Sequence, residues 1–310
     1  MPTTHPPHRP RPHLPRPTRL LVAAALTIAL AAVLAPVLMD RGGDRDREDG
    51  AGQRPSSLTV ATWNVCGVRA WGCADTGDRA AKTDVLLRLA RDRDVRVLML
   101  QEACADDVAA AVRELGTSWH STFRPYTHRD ASGRETTVRC AAPRSDRAGY
   151  AILAASALTR VTHPASAQPE DGLQRGILCA TASRYDVRAC TAHLTPRGGD
   201  RAHPGWEYRD DQLHTLVAAS RGPRVVYGGD LNTPPPGTRN PSTWVWPSDG
   251  PYRTARECAQ RSAASRAAEA THRSGHKLDY LFTPLPRLGC AVLPTAASDH
   301  RALLLRVNPT

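Results

Sequence analysis

The chain has 310 residues, of which 41 are lysine or arginine and 30 are aspartate or glutamate, so its formal net charge at pH 7 is +11. No internal repeat is visible and no CxxC pair of cysteines occurs, which argues against a repeat architecture and a cysteine-bound zinc site. The basic excess favours anionic partners, with nucleic acid as the first candidate, although an arginine-rich composition gives the same charge without any function.

The first 54 residues read as a targeting segment rather than as part of a globular core. Residues 1–19 are rich in proline, histidine and arginine, and residues 20–39 form an uncharged apolar run long enough to cross a bilayer as a helix. Because arginines precede this run, we expect an extracytoplasmic domain held by a single-pass anchor, followed by a charged linker over residues 40–54. Ala29-Leu30-Ala31 resembles a cleavage site, so a cleaved signal peptide and a secreted protein are the competing interpretation.

Residues 55–310 are long enough for one large domain with a substantial core. Removing the 8 basic and 5 acidic residues of the first 54 leaves 33 basic against 25 acidic residues, a net charge of +8. Apolar runs predict strands, and apolar residues recurring every three to four positions predict helices. In chain order the predictions are strand 58–63, helix 78–91, strand 95–100, helix 106–115, strands 150–155, 176–182 and 187–192, helix 207–219, and strands 224–228, 278–282 and 302–307.

This mixture of strands and helices indicates an α/β domain rather than a helical bundle or an all-β sandwich. Two segments without a clear period, residues 129–147 and 234–251, are predicted to be long surface loops.

All eight cysteines follow the apolar run, and an even number beyond an export signal favours disulfide bonds. The stretch ILCATASRYDVRACTAH predicts two strands joined by a turn near Arg184-Tyr185, which places Cys179 opposite Cys190. We therefore expect a bond between these two cysteines. Reduced, buried cysteines are the alternative.

Polar residues stand at the ends of several predicted strands. They are Asn64, Gln101, Glu102, His193, Asp230, Asn232, Asp279, Asp299 and His300. Any one of them can be explained as a residue that meets solvent where a strand ends, but together they predict a shared polar site. In the stretch GGDLN, Asp230 and Asn232 are expected on the same side if the extended backbone continues through Leu231.

The motifs TWN, QE, AHL, GGDLN, LDY and SDH occur in this order over residues 58–305, almost the whole domain. The ordered set resembles the endonuclease/exonuclease/phosphatase superfamily, which includes DNase I-like nucleases, exonuclease III-like repair enzymes, neutral sphingomyelinases and inositol polyphosphate 5-phosphatases. The resemblance implies an α/β (α+β) fold, a four-layer sandwich of two packed mixed β-sheets flanked by helices.

The resemblance also implies a divalent metal ion and a set of ligands for it. Glu102 would be the main ligand of Mg²⁺, a hard ion that prefers carboxylate and water oxygens, and Mn²⁺ is the alternative ion. Asn64 would assist near that ion, and Asp299 would lie close by.

The remaining motif residues are implied to be catalytic. Asp230 would orient or deprotonate the attacking water, and Asn232 would hold the phosphate or Asp230 in place. His300, oriented by Asp279, would contact the phosphoryl oxygen or transfer a proton. His193 would donate to a nonbridging oxygen as negative charge accumulates in the transition state.

Two features depart from the resemblance or extend it. Where family members often have GNAILSR, this chain has GYAILAAS, so Tyr150 replaces a polar residue and the usual substrate contacts there are in doubt. The segment before this strand is crowded with arginines that are candidates for phosphate binding: Arg124, Arg129, Arg134, Arg139, Arg144 and Arg147.

The sequence thus predicts an exported Mg²⁺-dependent phosphodiesterase, with a nuclease as the first interpretation and metal-assisted in-line attack by water as the reaction. A sphingomyelinase-like or other phospholipid or small phosphoester hydrolase is the second enzymatic interpretation. An inactive binding module of the same fold is the third. No protein partner is expected.

Overall fold

The computed structural model describes residues 55–73, 75–140, 146–237, 240–266 and 268–310. The predicted leader, apolar run and linker (residues 1–54) lie outside this part, so the anchor and the signal peptide both stay predictions. Among the described residues, no helix has the length and apolar character needed to cross a membrane.

Four helices occur in the described residues. They are α1 (Arg79–Asp92), α2 (Ala105–Leu115), α3 (Arg209–Ala219) and the single turn α4 (Pro251–Thr254). The first three agree with the predicted helices to within two residues at each end. Asp78 caps α1, since its Oδ1 accepts a hydrogen bond of 3.0 Å from the Ala81 N–H, which satisfies one of the free donors of the first turn.

Fifteen strands occur in the same described residues. In chain order they are β1 (Leu58–Asn64), β2 (Val95–Cys104), β3 (His120–Pro125), β4 (Thr127–Arg129), β5 (Glu135–Thr137), β6 (Ala148–Ala154), β7 (Leu158–Thr162), β8 (Gly172–Gln174), β9 (Gly176–Ala182), β10 (Val187–His193), β11 (Val225–Asp230), β12 (Arg256–Glu257), β13 (Asp279–Thr283), β14 (Arg287–Leu293) and β15 (Ala302–Val307).

These strands form two mixed six-stranded sheets and one small sheet. The first sheet has the order β14-β15-β1-β2-β6-β3, and the second has the order β12-β13-β11-β10-β9-β7. Each large sheet contains one central parallel pair, β1 with β2 and β10 with β11, while the other neighbours are antiparallel. Because parallel strands end at the same edge of a sheet, each sheet brings two strand ends together.

Alternating side chains pack the large sheets into four layers. Val60, Met99 and Leu178 belong to one buried cluster that joins the inner faces of both sheets. On the outer face of the first sheet, Trp63 packs in a cluster with residues of α1 and α2, and the outer face of the second sheet packs against Leu213 of α3. The predicted four-layer α/β sandwich is therefore confirmed.

The predicted loop over residues 129–147 is wrong in part. Strand β5 lies inside it and pairs with β4, which also pairs with β8 to complete the small sheet. These strands have three residues each and β5 is exposed, so no buried apolar alternation marks them in the sequence. The second predicted loop, residues 234–251, contains one short 3₁₀ turn, Thr243–Val245.

All eight cysteines form disulfide bonds. The pairs are Cys66–Cys73, Cys104–Cys140, Cys179–Cys190 and Cys258–Cys290. The predicted Cys179–Cys190 bond is confirmed, because these residues are register partners on β9 and β10. The alternative of reduced cysteines is wrong.

Candidate active site

The polar residues predicted from the strand ends meet where the two sheets pack against each other. His193 is the register partner of Asp230 across the parallel pair β10 and β11, and Asp230 is the partner of Asp279 on β13. Side chains from the first sheet complete the cluster, because Asn64 at the end of β1 bonds to Asp230. One site thus draws on both large sheets.

Glu102 is held by a bulge inside a strand rather than by the end of one. Strand β2 does not stop at Leu100 as predicted, and its pairing with β6 shifts between Leu100 and Ala103. Glu102 occupies this shift with a φ of +52°, in the left-handed region that a glutamate rarely adopts. Its backbone N–H donates to the Tyr126 hydroxyl (3.1 Å) and its carbonyl accepts from the Gly67 N–H (2.9 Å). The bulge therefore aims this carboxylate into the site.

Asn64 connects two carboxylates. Its Nδ2 donates to Glu102 Oε1 and to Asp230 Oδ2, both at 3.0 Å, while its Oδ1 accepts from the Cys66 N–H at 2.9 Å. Burial raises the pKa of Glu102 and that of Asp230, although the positive charge of Arg175 and the hydrogen bonds from Asn64 oppose this effect. In this arrangement Asn64 positions the two acids relative to each other.

Asp230 and Asn232 do not lie on one extended strand. Strand β11 ends at Asp230, and Asn232 has a φ of +49°, so the expectation of a continuing extended backbone is wrong. The turn lets the Asn232 N–H donate to Asp230 Oδ1 (3.0 Å), while Asn232 Nδ2 donates to the Leu194 carbonyl (2.9 Å). Asn232 thereby holds Asp230 through its main chain. The glycines before it are required, since a Cβ at Gly228 or Gly229 would lie about 2 Å from a backbone oxygen of the neighbouring strand.

The predicted contact between Asp279 and His300 is present. Asp279 Oδ2 lies 2.8 Å from His300 Nδ1, and the Asp279 N–H donates to Thr271 Oγ1 (2.9 Å). Burial alone would lower the pKa of His300, but the carboxylates of Asp279 and Asp230 outweigh it and raise that pKa to about 10. His300 is therefore an imidazolium at neutral pH, and its Nε2 lies 3.8 Å from Asp230 Oδ2.

His193 is neutral. Burial, together with the charges of Arg175 and His300, holds its pKa well below the usual range. Its Nε2 accepts from Arg175 Nη1 at 2.5 Å, which places the ring proton on Nδ1, where it bonds to the Tyr126 oxygen at 2.8 Å. With this tautomer His193 Nε2 cannot donate to Asp230, although it is only 3.4 Å from Asp230 Oδ2.

Arg175 is a site residue that sequence reasoning missed. It lies between β8 and β9, and its Nη1 also donates to the Leu194 carbonyl at 2.9 Å. Tyr126, which bonds both to His193 and to the Glu102 backbone, was missed as well. In the sequence, Arg175 stands out only as a single charged residue directly before a fully buried strand. It belongs to none of the motifs on which the family resemblance rests.

Asp299 lies on the segment before β15, next to Ser298, whose hydroxyl donates to the Asn64 carbonyl at 2.7 Å. Asp299 Oδ2 is 3.2 Å from His272 Nε2 and 3.9 Å from an Arg273 nitrogen, and it forms a possible metal-binding group with His272 and His300. Burial would raise the pKa of Asp299, but the hydrogen bond from His272 and the nearby positive charges lower it. Within the described residues, Glu102 shares no such group with Asp299. The structure thus brings two of the three predicted metal ligands together, and the role of all three stays a prediction.

A buried lysine joins the two segments that carry these ligands. Lys82 Nζ of α1 donates to the carbonyls of Val65 (2.8 Å) and Ala297 (2.6 Å). Val65 directly follows Asn64, and Ala297 lies two residues before Asp299. Burial lowers the pKa of Lys82 to about 8.

The donor set fits a hard divalent cation. Glu102 Oε2 has no hydrogen-bond donor in the described residues, because the sulfur of Cys73 near it is oxidised and carries no proton. Asp279 Oδ1 is likewise buried without a partner there. Buried carboxylate oxygens that lack donors are stabilised by a cation such as Mg²⁺, whose preferred ligands they are.

Comparison with known proteins agrees with this geometry. The sequence profile of the Endonuclease/Exonuclease/phosphatase family matches residues 61–300. The chain belongs to this family. Members of the family are metal-dependent phosphoester hydrolases, and the chain is accordingly an enzyme of that type rather than an inactive binding module.

Solved structures of the endonuclease/exonuclease/phosphatase family share the fold at low identity. A family member from Beutenbergia cavernae is 17% identical with a TM-score of 0.59, over 82% of this chain and 72% of that one. A humanised Danio rerio TDP2 is 15% identical with a TM-score of 0.57, over 82% and 100%. The Neisseria 3′ phosphatase NExo, solved with a product DNA hairpin, is 16% identical with a TM-score of 0.53, over 80% and 98%. No curated protein sequence matches the chain.

The arginines of this family member are distributed differently from the prediction. Arg134 is exposed and forms an ion pair with Asp130. The backbones of Arg139 and Arg147 form an isolated antiparallel β-bridge, and Arg144 lies outside the described residues. The cavity beside the catalytic cluster is lined by two of the predicted arginines, Arg124 and Arg129, and by Arg175, which was not predicted.

Proposed function

We propose that the chain is an exported, Mg²⁺-dependent phosphodiesterase that hydrolyses nucleic acid by in-line attack of water. The observation that carries this proposal is the pair of buried carboxylates, Glu102 and Asp230, bonded to the same Asn64 amide. An imidazolium, His300, has its Nε2 3.8 Å from the same Asp230 oxygen, Oδ2, that accepts from the Asn64 amide. The site between the two sheets thus contains two carboxylates, Glu102 and Asp230, and a cation, His300, close to one of them.

Glu102 would hold the metal ion, with Asn64 beside it and Asp299 on the neighbouring segment. A bound Mg²⁺ supplies charge neutralisation on the phosphoryl group, and Mn²⁺ is the alternative ion with the same oxygen preference. The main-chain hydrogen bonds at the Glu102 bulge fix the direction of this ligand before the ion binds.

Asp230 is positioned to take a proton from the attacking water. The Asn232 N–H holds Oδ1 and the Asn64 amide holds Oδ2, so the carboxylate cannot rotate freely. Burial raises its pKa, which makes it a better proton acceptor, and the nearby charge of His300 opposes this rise.

The cationic side of the site would stabilise the charge that develops on the phosphoryl oxygens. His300 uses Nδ1 for Asp279, which leaves the Nε2 proton for a phosphoryl oxygen. Arg175 supplies a guanidinium, whose planar fork fits a phosphate better than a single ammonium does. With its ring proton on Nδ1, His193 Nε2 has no proton to give to a phosphoryl oxygen, so Arg175 is the donor on this side of the site.

Nucleic acid and export are supported by independent features. The net charge of +8 over residues 55–310 and the arginines beside the site suit a polyanion. Four disulfide bonds suit an oxidising compartment, as expected beyond the apolar run of residues 20–39.

A phospholipid headgroup is the second candidate substrate. Trp206 and Trp244 are 51% and 62% exposed, and they lie on the loops that follow His193 and Asn232. Exposed tryptophans are typical of surfaces that rest on a membrane interface. Replacement of both by alanine separates the candidates, because it should weaken hydrolysis in liposomes and leave cleavage of DNA unchanged.

The test begins with bis(p-nitrophenyl) phosphate, assayed with Mg²⁺, with Mn²⁺ and with EDTA. Hydrolysis that EDTA abolishes supports a metal-dependent phosphodiesterase. DNA, RNA, sphingomyelin in liposomes and inositol phosphates are then compared by kcat/KM. The nuclease proposal requires that DNA or RNA exceeds the other two, and a preference for sphingomyelin contradicts it.

A further inference from the structure

A cavity of about 440 Å³ opens where the three sheets meet. Arg124 of β3 and Tyr150 of β6 come from the first sheet, Arg129 comes from the small sheet, and Ile177 of β9 comes from the second. The segment over residues 163–168 lines it as well. We refer to this space as the side cavity.

The side cavity is continuous with the catalytic cluster through Arg175. This residue lines the cavity, and the same side chain donates to His193 Nε2. Tyr150 lines it too, and its ring lies 5.4 Å from the ring of Tyr126, which bonds to His193. A group bound in the side cavity is therefore next to any phosphate that lies between His193 and His300.

The side cavity carries an excess of positive charge. Its one acidic lining residue, Glu135, is occupied by Arg129, whose Nη2 donates to Glu135 Oε1 at 2.7 Å. Neither Arg124 nor Arg175 has a carboxylate within ion-pair distance in the part of the chain that the structure describes. Glu135, Glu102 and Asp230 act on these two guanidinium groups only at longer range, so both remain able to pair with an anion in the cavity.

Arg124 is held in place at the wall of the cavity. It is the register partner of Tyr150 across β3 and β6, so both side chains leave the sheet on the same face. Burial raises the pKa of Tyr150 to about 12, although the charge of Arg124 and a side-chain hydrogen bond with it act in the opposite direction. Tyr150, which replaces the usual family residue, thus lies beside the arginine that lines the cavity.

We propose that the side cavity is a subsite for a second phosphate group of the substrate, bound by Arg124 next to the scissile phosphodiester. The proposal rests on the function proposed above and specifies its substrate class, an ester that carries another phosphate beside the one that is cleaved. A nucleic-acid strand has this chemistry along its whole length. A single phosphodiester between neutral groups does not.

The experiment compares thymidylyl-thymidine with the same dinucleotide phosphorylated at its 5′ end or at its 3′ end. The wild-type enzyme should show a roughly tenfold or larger gain in kcat/KM for one phosphorylated form, since a charge-assisted hydrogen bond contributes about 1.5–3 kcal/mol. Arg124→Gln should lose most of this gain, and its kcat/KM should fall more for the phosphorylated dinucleotide than for the unphosphorylated one or for bis(p-nitrophenyl) phosphate. The matched control is Arg134→Gln, because Arg134 is exposed and pairs with Asp130 away from the cavity.

Two results overturn the subsite: no gain from an added phosphate in the wild type on either the dinucleotides or the inositol phosphates, or a gain that Arg124→Gln retains in full. Inositol polyphosphates form another arm of the experiment. If an added phosphate raises kcat/KM for the inositol polyphosphates in a way that depends on Arg124, and not for the dinucleotides, the cavity does bind a second phosphate. The substrate is then not a nucleic acid.

A binding measurement separates this proposal from the proposed function. In Glu102→Gln, fluorescence anisotropy with labelled dinucleotides reports affinity without turnover. Tighter binding of one phosphorylated form, lost in the Glu102→Gln, Arg124→Gln double variant, supports the subsite even if no substrate is hydrolysed. Equal binding of all forms contradicts it, whatever the activity of the wild type.

Discussion

The sulfur of Cys73 lies 3.7 Å from Glu102 Oε2. Cys73 is bonded to Cys66, and the Cys66 N–H donates to Asn64 Oδ1. The disulfide therefore contacts the predicted metal ligand through one cysteine and its neighbour Asn64 through the other. This connection gives a covalent bond a direct influence on the geometry of the site.

Replacing Cys66 and Cys73 by alanine should raise the Mg²⁺ concentration needed for half-maximal activity, by about tenfold if roughly 1.4 kcal/mol of ligand positioning is lost. The control removes Cys179 and Cys190, whose loop is of similar length and whose sulfurs pack on the outer face of the second sheet. Both variants should lose about 2–3 kcal/mol of unfolding free energy. If the control variant showed an equal rise in the Mg²⁺ concentration needed for half-maximal activity, the rise would be caused by general destabilisation.

Glu102→Gln should abolish most metal-dependent turnover, because a charged oxygen ligand is lost while the side-chain volume is kept. The fall in kcat/KM on bis(p-nitrophenyl) phosphate should reach at least about a hundredfold, the scale of losing one major electrostatic contact. Glu114→Gln is the control, since Glu114 is exposed near the end of α2. Full activity of Glu102→Gln at limiting Mg²⁺ would remove this residue from the site.

Arg175→Gln should lower kcat/KM about 10²–10³-fold, because a preorganised cation at the phosphoryl group is lost. It should also raise the pKa of His193 toward its usual range, since the charge of Arg175 is one cause of the depression. NMR titration of the histidines measures the second effect. The control Arg88→Gln removes an exposed arginine of α1 that pairs with Asp84. If Arg175→Gln had wild-type kcat/KM, the guanidinium would have no role in stabilising the phosphoryl group.

Asp279→Asn and His300→Ala should be strongly non-additive, because each disables the same hydrogen-bonded pair. We expect the double variant to be about as active as His300→Ala alone. Measured kcat/KM values whose losses multiply would mean that the two residues act independently.

The pKa of His300 also predicts a pH dependence of stability. This pKa is raised to about 10 in the folded protein from an ordinary value of 6.5, so the stabilisation is fully present below pH 6.5 and is lost as the pH rises through 10. In EDTA, the difference in Tm between the wild type and Asp279→Asn should therefore shrink between pH 6.5 and pH 10. Thermal melts across this range test it, and a difference that grows with pH contradicts the assignment of charge.

The Asp279–His300 contact and the Cys179–Cys190 bond show what the sequence can predict. The cysteine pair follows from counting along two strands around one turn, which is a local property. The Asp279–His300 contact follows from the order of the motifs, because the LDY and SDH motifs come together in proteins of this fold. The layers follow from the length and alternation of the apolar runs.

The Glu102 bulge and Arg175 show what the sequence does not reveal. The run from Val95 reads as one continuous strand, and the left-handed conformation of Glu102 arises only from its pairing with β6 and its contact with Tyr126. Arg175 reaches His193 because Gly176, which directly follows Arg175, is the register partner of His193 across β9 and β10. That register fixes where Arg175 lies but not the direction of its long side chain, which no short pattern encodes.

The pairing of β1 with β15 has a consequence for folding. Asn64 lies at the end of β1, whereas Asp299 and His300 directly precede β15, the last strand of the chain. The Trp63 indole even donates to the His300 carbonyl. The site is therefore incomplete until two segments 237 positions apart in the sequence have met. Contacts of such long range cost loop-closure entropy, so we expect activity to appear late in refolding, after the local hairpins have formed.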